Sequence, residues 1–566
     1  MIDIFIFLFF FYFCFFSVLG YGLFFQKVIY SNFNKKLKKV ELSFNGFYGL
    51  TLLTFISFIT SFFFPHNFTH NIVLHIFGFL YFFSLSGFKN FRYVKYLLLI
   101  SLLVLSSLFI SKTHDDFSYY HFPFTKYLTE HHIIFGMGHL NLGYNLISST
   151  FFLNSTFYLP IINYFSFHFT AIYFLIFFNF FLIENLFKKK NQKIIRYFCL
   201  VTFIFFNLSF NRISEYGTDK TGQLLIVILV IYLLNIILYD FKKDRIQKIL
   251  LLLPLLGFCI TLKTYFIPYI ILSLSILLIC KSIKKDFKLI LNSKAFLFLI
   301  IILILNFSHH FVSNGCLISP LAASCFGERF VWAIKIDEIR ELALWTEQWA
   351  KAGAGPNFRV DNPLVYIDGF NWIDNWFKKY FLIKFLDQIL ILVFSFTMFF
   401  LITKKFKIDN TSSLKFEIKK KFFIFYTLIS LIFLVWLTNH PTLRYGGYSA
   451  FFLLLSIPLL ILSNFFEDKK LSNKKMFYSL LIIFFLFNLK NFHRISQEFK
   501  RDDLYKFSNF PYFAIKDKEF KILEYNDINL YSAHHCWATP SPCGNINNEI
   551  NVLKKGDYFF LFRDKN

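Results

Sequence analysis

Apolar stretches of about 15 to 25 residues recur from one end of this chain to the other, and clusters of lysine separate them. A helix needs about 20 apolar residues to cross the hydrocarbon core of a bilayer. Hydrophobic side chains make up 56% of the 566 residues, and phenylalanine alone contributes 89. A soluble domain of this size could not hide so much apolar surface. The pattern therefore predicts an all-α polytopic membrane protein. Most phenylalanines are expected to face lipid or pack between helices.

The basic residues say how such a chain is threaded. Lys and Arg crowd the segments 27–39, 89–95, 188–196, 242–248, 281–288, 404–421 and 469–475, and every second loop is poor in them. This is the positive-inside rule. The net charge of +25 is then topological rather than the footprint of nucleic acid, so membrane lipids are expected contacts and nucleic acid is not. Alternating the loops places helices near 2–25, 44–64, 72–88, 97–111, 157–186, 197–210, 222–240, 249–262, 265–280, 289–308, 383–403, 422–438, 448–465 and 476–490. That is about 14 transmembrane helices in a bacterial inner (cytoplasmic) membrane, with both termini periplasmic. Residues 2–25 are too long and apolar for a cleavable signal peptide and read as the first span.

The domain expectation follows. Residues 1–490 form the membrane domain. Residues 491–566, with short β-type runs between turn residues, form a small α+β periplasmic domain. The extracytoplasmic loops 112–156, 211–221 and 309–382 are long enough or acidic enough to carry chemistry. The cytoplasmic loops leave no room for a nucleotide-hydrolysing domain. No GxxxxGK[ST] occurs, and "GMGHLNLG" has the wrong spacing for a dinucleotide fingerprint.

Of the eight cysteines, Cys14, Cys199, Cys259 and Cys280 fall in or beside apolar spans. The others form two close pairs on the outer side, "CLISPLAASC" and "CWATPSPC". An oxidising compartment favours the disulfides Cys316–Cys325 and Cys536–Cys543 over a metal site.

The stretch "THDDFSYYHF" places Asp115 and Asp116 just past a span. A carboxylate at the interface can ionise and still meet a lipid-borne reactant. It can act as general base on a hydroxyl or hold a divalent ion. A helix N-cap is the plainer role. Tyr120 and His121 follow about one turn later. In "NRISEYGTDKT", Glu215 and Asp219 are spaced to share a helical face and to form an opposite wall, though a solvated loop would look the same. Lys263 and Arg444 are outer-side cations suited to a phosphate, or to anchoring at the interface. Trp345 and Trp349 repeat at helical spacing and suit a membrane interface or a packed aromatic face. The histidine pairs 131–132, 309–310 and 534–535 lack metal-ligand spacing.

A first sizeable outer loop with an aspartate just past a span resembles the pattern of the GT-C superfamily of membrane glycosyltransferases, and the matching segments are "DDFSYYHFP", "FGMGHLNLGYN", "TLKTYFIP", "SNGCLISPLAASCF", "WAKAGAG", "HPTLRYGGY", "NLKNFHRI" and "CWATPSPC". More closely, they resemble a family of uncharacterised bacterial inner-membrane proteins bearing a domain of unknown function. The GT-C resemblance implies a sugar taken from a polyprenyl-phosphate carrier on the periplasmic face and passed to a cell-envelope acceptor by inverting displacement. It implies Asp116, or Asp115, as base or as ligand of a possible divalent metal ion, with no other cofactor. Tyr120, His121, Lys263, Arg444, Glu215 and Asp219 would line the site. A transporter, or a polysaccharide-export or ligase-type protein without GT-C chemistry, is the alternative. No internal repeat supports the transporter, and its acids would lie mid-span rather than in loops.

Overall fold

The computed structural model describes residues 2–31, 42–85, 91–110, 116–188, 193–209, 218–238, 245–279, 282–355, 360–402, 407–408, 416–463, 466–467, 473–500, 510–512, 519–525, 527–546 and 549–563. Among these, seven helices are long and apolar enough to cross a membrane: Asp3–Ile29, Tyr164–Phe187, Lys220–Leu238, Lys294–Asn314, Ile373–Ile402, Lys420–Asn439 and Asn473–Phe499. Shorter apolar helices lie at Phe44–Thr60, Phe68–Ser84, Val94–Phe109, Ile194–Ser209, Ile246–Leu262, Thr264–Leu278 and Gly447–Ile461. Each coincides with an expected span, and the chain is a multi-pass membrane protein. Tyr164–Phe187 and Lys220–Leu238 form the centre, each 94% buried. Peripheral helices expose Phe5, Phe9, Leu401, Phe423 and Phe485. Such residues suit lipid, which is as apolar as they are.

Small residues let the helices approach. Gly20 on the first helix faces the Gly78 carbonyl on the third so closely that a Cβ there would overlap it. Hydrogen bonds then tie the first helix to the third and to the second. Tyr21 donates from its hydroxyl to the Leu74 carbonyl at 2.7 Å, and Asn45 donates from Nδ2 to the Leu19 carbonyl at 2.9 Å. Each satisfies a polar group that lipid would leave bare.

Lys294 Nζ approaches the Val28 carbonyl, and Lys407–Ile408 pairs antiparallel with Phe466–Glu467. Trp376 donates to the Pro441 carbonyl at 2.8 Å, and Tyr144 donates to the Cys543 carbonyl at 2.6 Å.

The structure corrects several expected boundaries. The span drawn from 157 starts at the 3-10 turn Tyr164–Ser166 and becomes a regular α-helix only at Phe169, because the residues before Phe169 are folded into turns. The span drawn at 265–280 is a tight 3-10 turn over Thr264–Leu274, with Pro268 inside it, followed by Ser275–Ile279. Proline lacks the N–H a regular helix needs. The basic loop 281–288 contains part of the amphipathic helix Ile283–Leu291. The boundary at 490/491 falls inside the helix Asn473–Phe499.

Beyond that helix the elements among the described residues are strands rather than an α+β mixture. Lys521–Tyr525, Ile528–Ser532 and Cys543–Gly544 form one sheet, and Asn551–Lys555 pairs with Tyr558–Phe562. This region is built onto the 112–156 segment. Phe135 N–H donates to the Phe559 carbonyl, Leu561 N–H donates to the Phe135 carbonyl, and Trp537 N–H donates to the Ser118 carbonyl. Disulfides join Cys316 to Cys325 and Cys536 to Cys543. Cys14, Cys199 and Cys259 are free and buried, and Cys280 lies outside the described residues.

Gly20→Leu should force the first and third helices apart and destabilise the bundle by about 1–3 kcal/mol or more. Thermal denaturation of the purified protein in lipid nanodiscs checks this, and an unchanged midpoint would contradict the packing described.

Candidate functional site

Four separated segments bring charged side chains together at one end of the helices. Asp116 opens a wide π-helical turn, Phe117–His121, which runs into the helix Phe122–Glu130. Its carboxylate makes no capping bond to that turn. It accepts instead from Arg444 Nη2 at 2.7 Å. Arg444 Nε donates to Asp219 Oδ2 at 3.0 Å, and Lys263 Nζ donates to Asp219 Oδ1. The N-cap role is thus replaced by a partner 328 residues away in sequence.

The scaffold that holds Arg444 is specific. It sits on the short turn Leu443–Tyr445, closed by Gly446 in a left-handed conformation (φ +89°) that glycine adopts without strain. Leu443 N–H donates to the Tyr380 hydroxyl at 2.7 Å. Gln223 donates to the Leu443 carbonyl at 3.2 Å and accepts from Ser449 N–H at 2.9 Å. Gln223 also donates to the Asp219 carbonyl at 3.2 Å, so one amide positions both halves of an ion pair. Aromatic rings enclose the cations. Arg444 lies 5.6 Å from the Trp349 ring centroid and 5.5 Å from that of Tyr445, and Lys263 lies 5.2 Å from the latter. Trp349 is therefore part of the site wall. It stacks on Trp345, with centroids 6.4 Å apart.

A cavity of about 660 Å³ opens beside this cluster. Asp116, His121, Asp219 and Arg444 line it. Lys263 stands behind Asp219. Tyr120 packs its ring onto Gly143, where any Cβ would collide with it. Asp115 and Glu215 lie outside the described residues. The cavity's other wall comes from residues the sequence reading set at span edges: Lys384, Asp387 and Gln388 on Ile373–Ile402, and Lys490 on Asn473–Phe499. The signal for them was a charge interrupting an apolar run. In the structure the helices continue through it. Leu390 and Ile391 also line the cavity, and Leu390 is largely exposed, so the space opens beside an exposed apolar surface. Lys220, Lys384, Lys490 and Arg444 oppose three carboxylates around it, and the lining is cationic overall.

Electrostatics follow from burial and pairing. Burial alone would raise the Asp219 carboxyl, but Arg444 and Lys263 outweigh it and hold it at about 2. Burial lowers the Lys263 amine against the pull of Asp219. Burial also opposes the charge on Arg444, yet Asp219 and Asp116 keep the guanidinium firmly protonated. His121 is pushed down to about 3 by burial, despite Asp116 and Asp219, and is neutral at pH 7.

A guanidinium takes the place between Asp116 and Asp219 where a divalent ion would otherwise bridge two carboxylates. Among the described residues no three His, Cys, Asp or Glu side chains gather as metal ligands. At least one histidine of each pair serves hydrogen bonding: His131 Nε2 bonds the Ser541 carbonyl, His309 Nε2 the Phe58 carbonyl, and His535 Nδ1 the Ser118 hydroxyl.

The buried histidines predict an acid limit. Burial holds His121 at about 3 and both His139 and His440 at about 4, below the ordinary 6.5. Below 6.5 the unfolded chain binds protons that the folded chain refuses. Their contribution to stability is full above about pH 6.5 and declines as pH falls toward about 4. The melting midpoint in nanodiscs should therefore drop between about pH 7.5 and about pH 5. His121→Gln should reduce that drop, and a flat profile in the unmodified protein would contradict it.

Residues 4–451 match a family described as a domain of unknown function (DUF8201). No curated protein and no solved structure matches the chain. The matched region includes Asp116, Asp219, Lys263 and Arg444, and the chain belongs to the DUF8201 family.

Proposed function

We propose that this protein is a GT-C-like membrane glycosyltransferase. It moves a sugar from a polyprenyl-phosphate carrier to a cell-envelope acceptor on the periplasmic face of the bacterial inner membrane, with both chain termini on that face. The observation that carries the reading is the convergence of Asp116, Asp219, Lys263 and Arg444 beside a cationic cavity that opens beside an exposed apolar surface. A phosphate on a lipid tail needs those two properties in one place: cations for the head and an apolar approach for the chain.

The chemistry is a direct displacement. The Asp116 carboxylate takes the proton of the acceptor hydroxyl as that oxygen bonds to the anomeric carbon. The bond from the anomeric carbon to the phosphate oxygen breaks, and the phosphate leaves with its electron pair. Arg444 stabilises that charge. Its Nε and Nη2 are committed to carboxylates, and Nη1 has no partner among the described residues, so it can donate to the leaving group. Lys263 holds Asp219, which in turn orients Arg444. His121, neutral and lining the cavity, adds a hydrogen bond to substrate. Tyr120 shapes the wall behind them.

The test is transfer from a panel of polyprenyl-phosphate-linked radiolabelled sugars by the protein in proteoliposomes. Asp116→Asn should lower the rate by about 100-fold or more, while the protein still inserts and melts near the unmodified midpoint. Unmodified rates in that variant would remove Asp116 from the mechanism. Absence of transfer from every donor would overturn the transferase reading. Loss of folding in Asp116→Asn and Arg444→Gln alike would instead assign the cluster to stability.

A further inference from the structure

A second cavity lies outside the cluster, on the far side of the same turn. It offers about 210 Å³, on the scale of one six-membered sugar ring, and is partly open. Its walls come from three distant parts of the chain: Tyr119, His139 and Asn141 from the 112–156 segment, Glu338 from the helix Ile336–Lys351, and Asn545 and Arg563 from the C-terminal strands and their exit. We propose that this cavity binds a neutral, hydroxyl-rich pyranose unit, the polar end of the acceptor.

The chemistry of the wall carries the assignment. Arg563 Nη1 lies 3.5 Å from Glu338 Oε2, and its Nη2 donates to the His139 carbonyl at 2.9 Å. The pair cancels in charge, so the cavity has little to offer a lone anion. It presents donors and acceptors side by side, as vicinal hydroxyls require. His139 Nε2 bonds the Trp332 carbonyl at 3.1 Å and must carry its proton there. The neutral ring then keeps Nδ1 as an acceptor nitrogen. That atom and Arg563 Nε are buried without a partner among the described residues. The Tyr119 ring and the Asn545 amide complete a wall of the kind that packs against a sugar face and reads its edges.

Position links this cavity to the reaction. Tyr119 lies on the same turn as Asp116, three residues on, and its carbonyl accepts from Asn141 Nδ2 at 2.9 Å. The turn that holds the general base is thus also the partition between the two cavities. The pocket's service as an acceptor subsite rests on the transferase reading, whereas its capacity to bind a pyranose does not.

Saturation-transfer NMR separates the two. The protein in nanodiscs is mixed with glucose, N-acetylglucosamine or glucuronate at millimolar concentration, alongside the variants Glu338→Ala, Arg563→Gln and Asp116→Asn. Saturation should reach a neutral sugar, weaken at least tenfold in Glu338→Ala and Arg563→Gln, and persist in Asp116→Asn. Equal binding in the pocket variants, or no binding of any sugar, would overturn the proposal. A preference for glucuronate would overturn its neutral-ligand form. Sugar binding at this pocket in a protein that transfers nothing would sink the transferase reading and leave the pocket standing.

Discussion

Arg444 carries the architecture of this protein's polar end. Two carboxylates from two other segments converge on it within a largely apolar molecule, and an amine from a third joins through one of them, Asp219. Leaving one such charge unpaired in a low-dielectric setting is far costlier than pairing all four, so the segments that bear them are not free to separate. Four chain segments distant in sequence are therefore fixed in one arrangement by one guanidinium and the Asp219 carboxylate it shares with Lys263. The tight turn at Leu443–Tyr445, the Gln223 amide and the Tyr380 hydroxyl are spent on holding that guanidinium still. Aromatic faces from Trp349 and Tyr445 cover part of it and add cation–π attraction.

Much of this was legible in the sequence, for reasons that can be stated. Span positions follow from hydrocarbon thickness, which imposes a length on any apolar run, and the alternation of lysine clusters then sorts the loops. That sorting put Asp116, Asp219, Lys263 and Arg444 on one side before any contact was known, and the structure brings all four into contact. The cysteine pairs were legible because close spacing leaves few partners. Helix ends were not. Lys384, Asp387 and Lys490 each break an apolar run, and a helix whose charged residues face a polar cavity continues where hydropathy alone ends it. The 3-10 geometry at Thr264–Leu274 also escapes periodicity, since Pro268 fixes it through a missing N–H rather than through apolar spacing.

The role of Asp116 shows a different limit. An aspartate before a helical turn is a sound N-cap candidate on local grounds. Its actual partner lies on a turn 328 residues further along, and no local pattern contains that information. The C-terminal strands are similar. Their β character was readable, but their docking onto Phe135, Ser118 and Tyr144 was not, because it is made largely by backbone groups that every residue has. The Cys536–Cys543 disulfide closes the loop that lays Trp537 against Phe117, so the tail helps support the turn from which Asp116 projects.

The charge state of the cluster bears on how it would meet an anion. Asp116 and Asp219 neutralise Arg444 and Lys263, so the four together attract a phosphate weakly. A strongly attractive site would also bind product strongly and release it slowly. Here the long-range pull comes from Lys220, Lys384 and Lys490 around the cavity. The short-range contact comes from a guanidinium with one nitrogen unengaged among the described residues. In the proposed transfer, a proton taken up by Asp116 would weaken its claim on Arg444 Nη2, and the guanidinium would gain capacity for new negative charge at the step that creates it. One ion pair would thereby couple proton removal from the acceptor to stabilisation of the leaving group, which no isolated aspartate or arginine in this cavity would do.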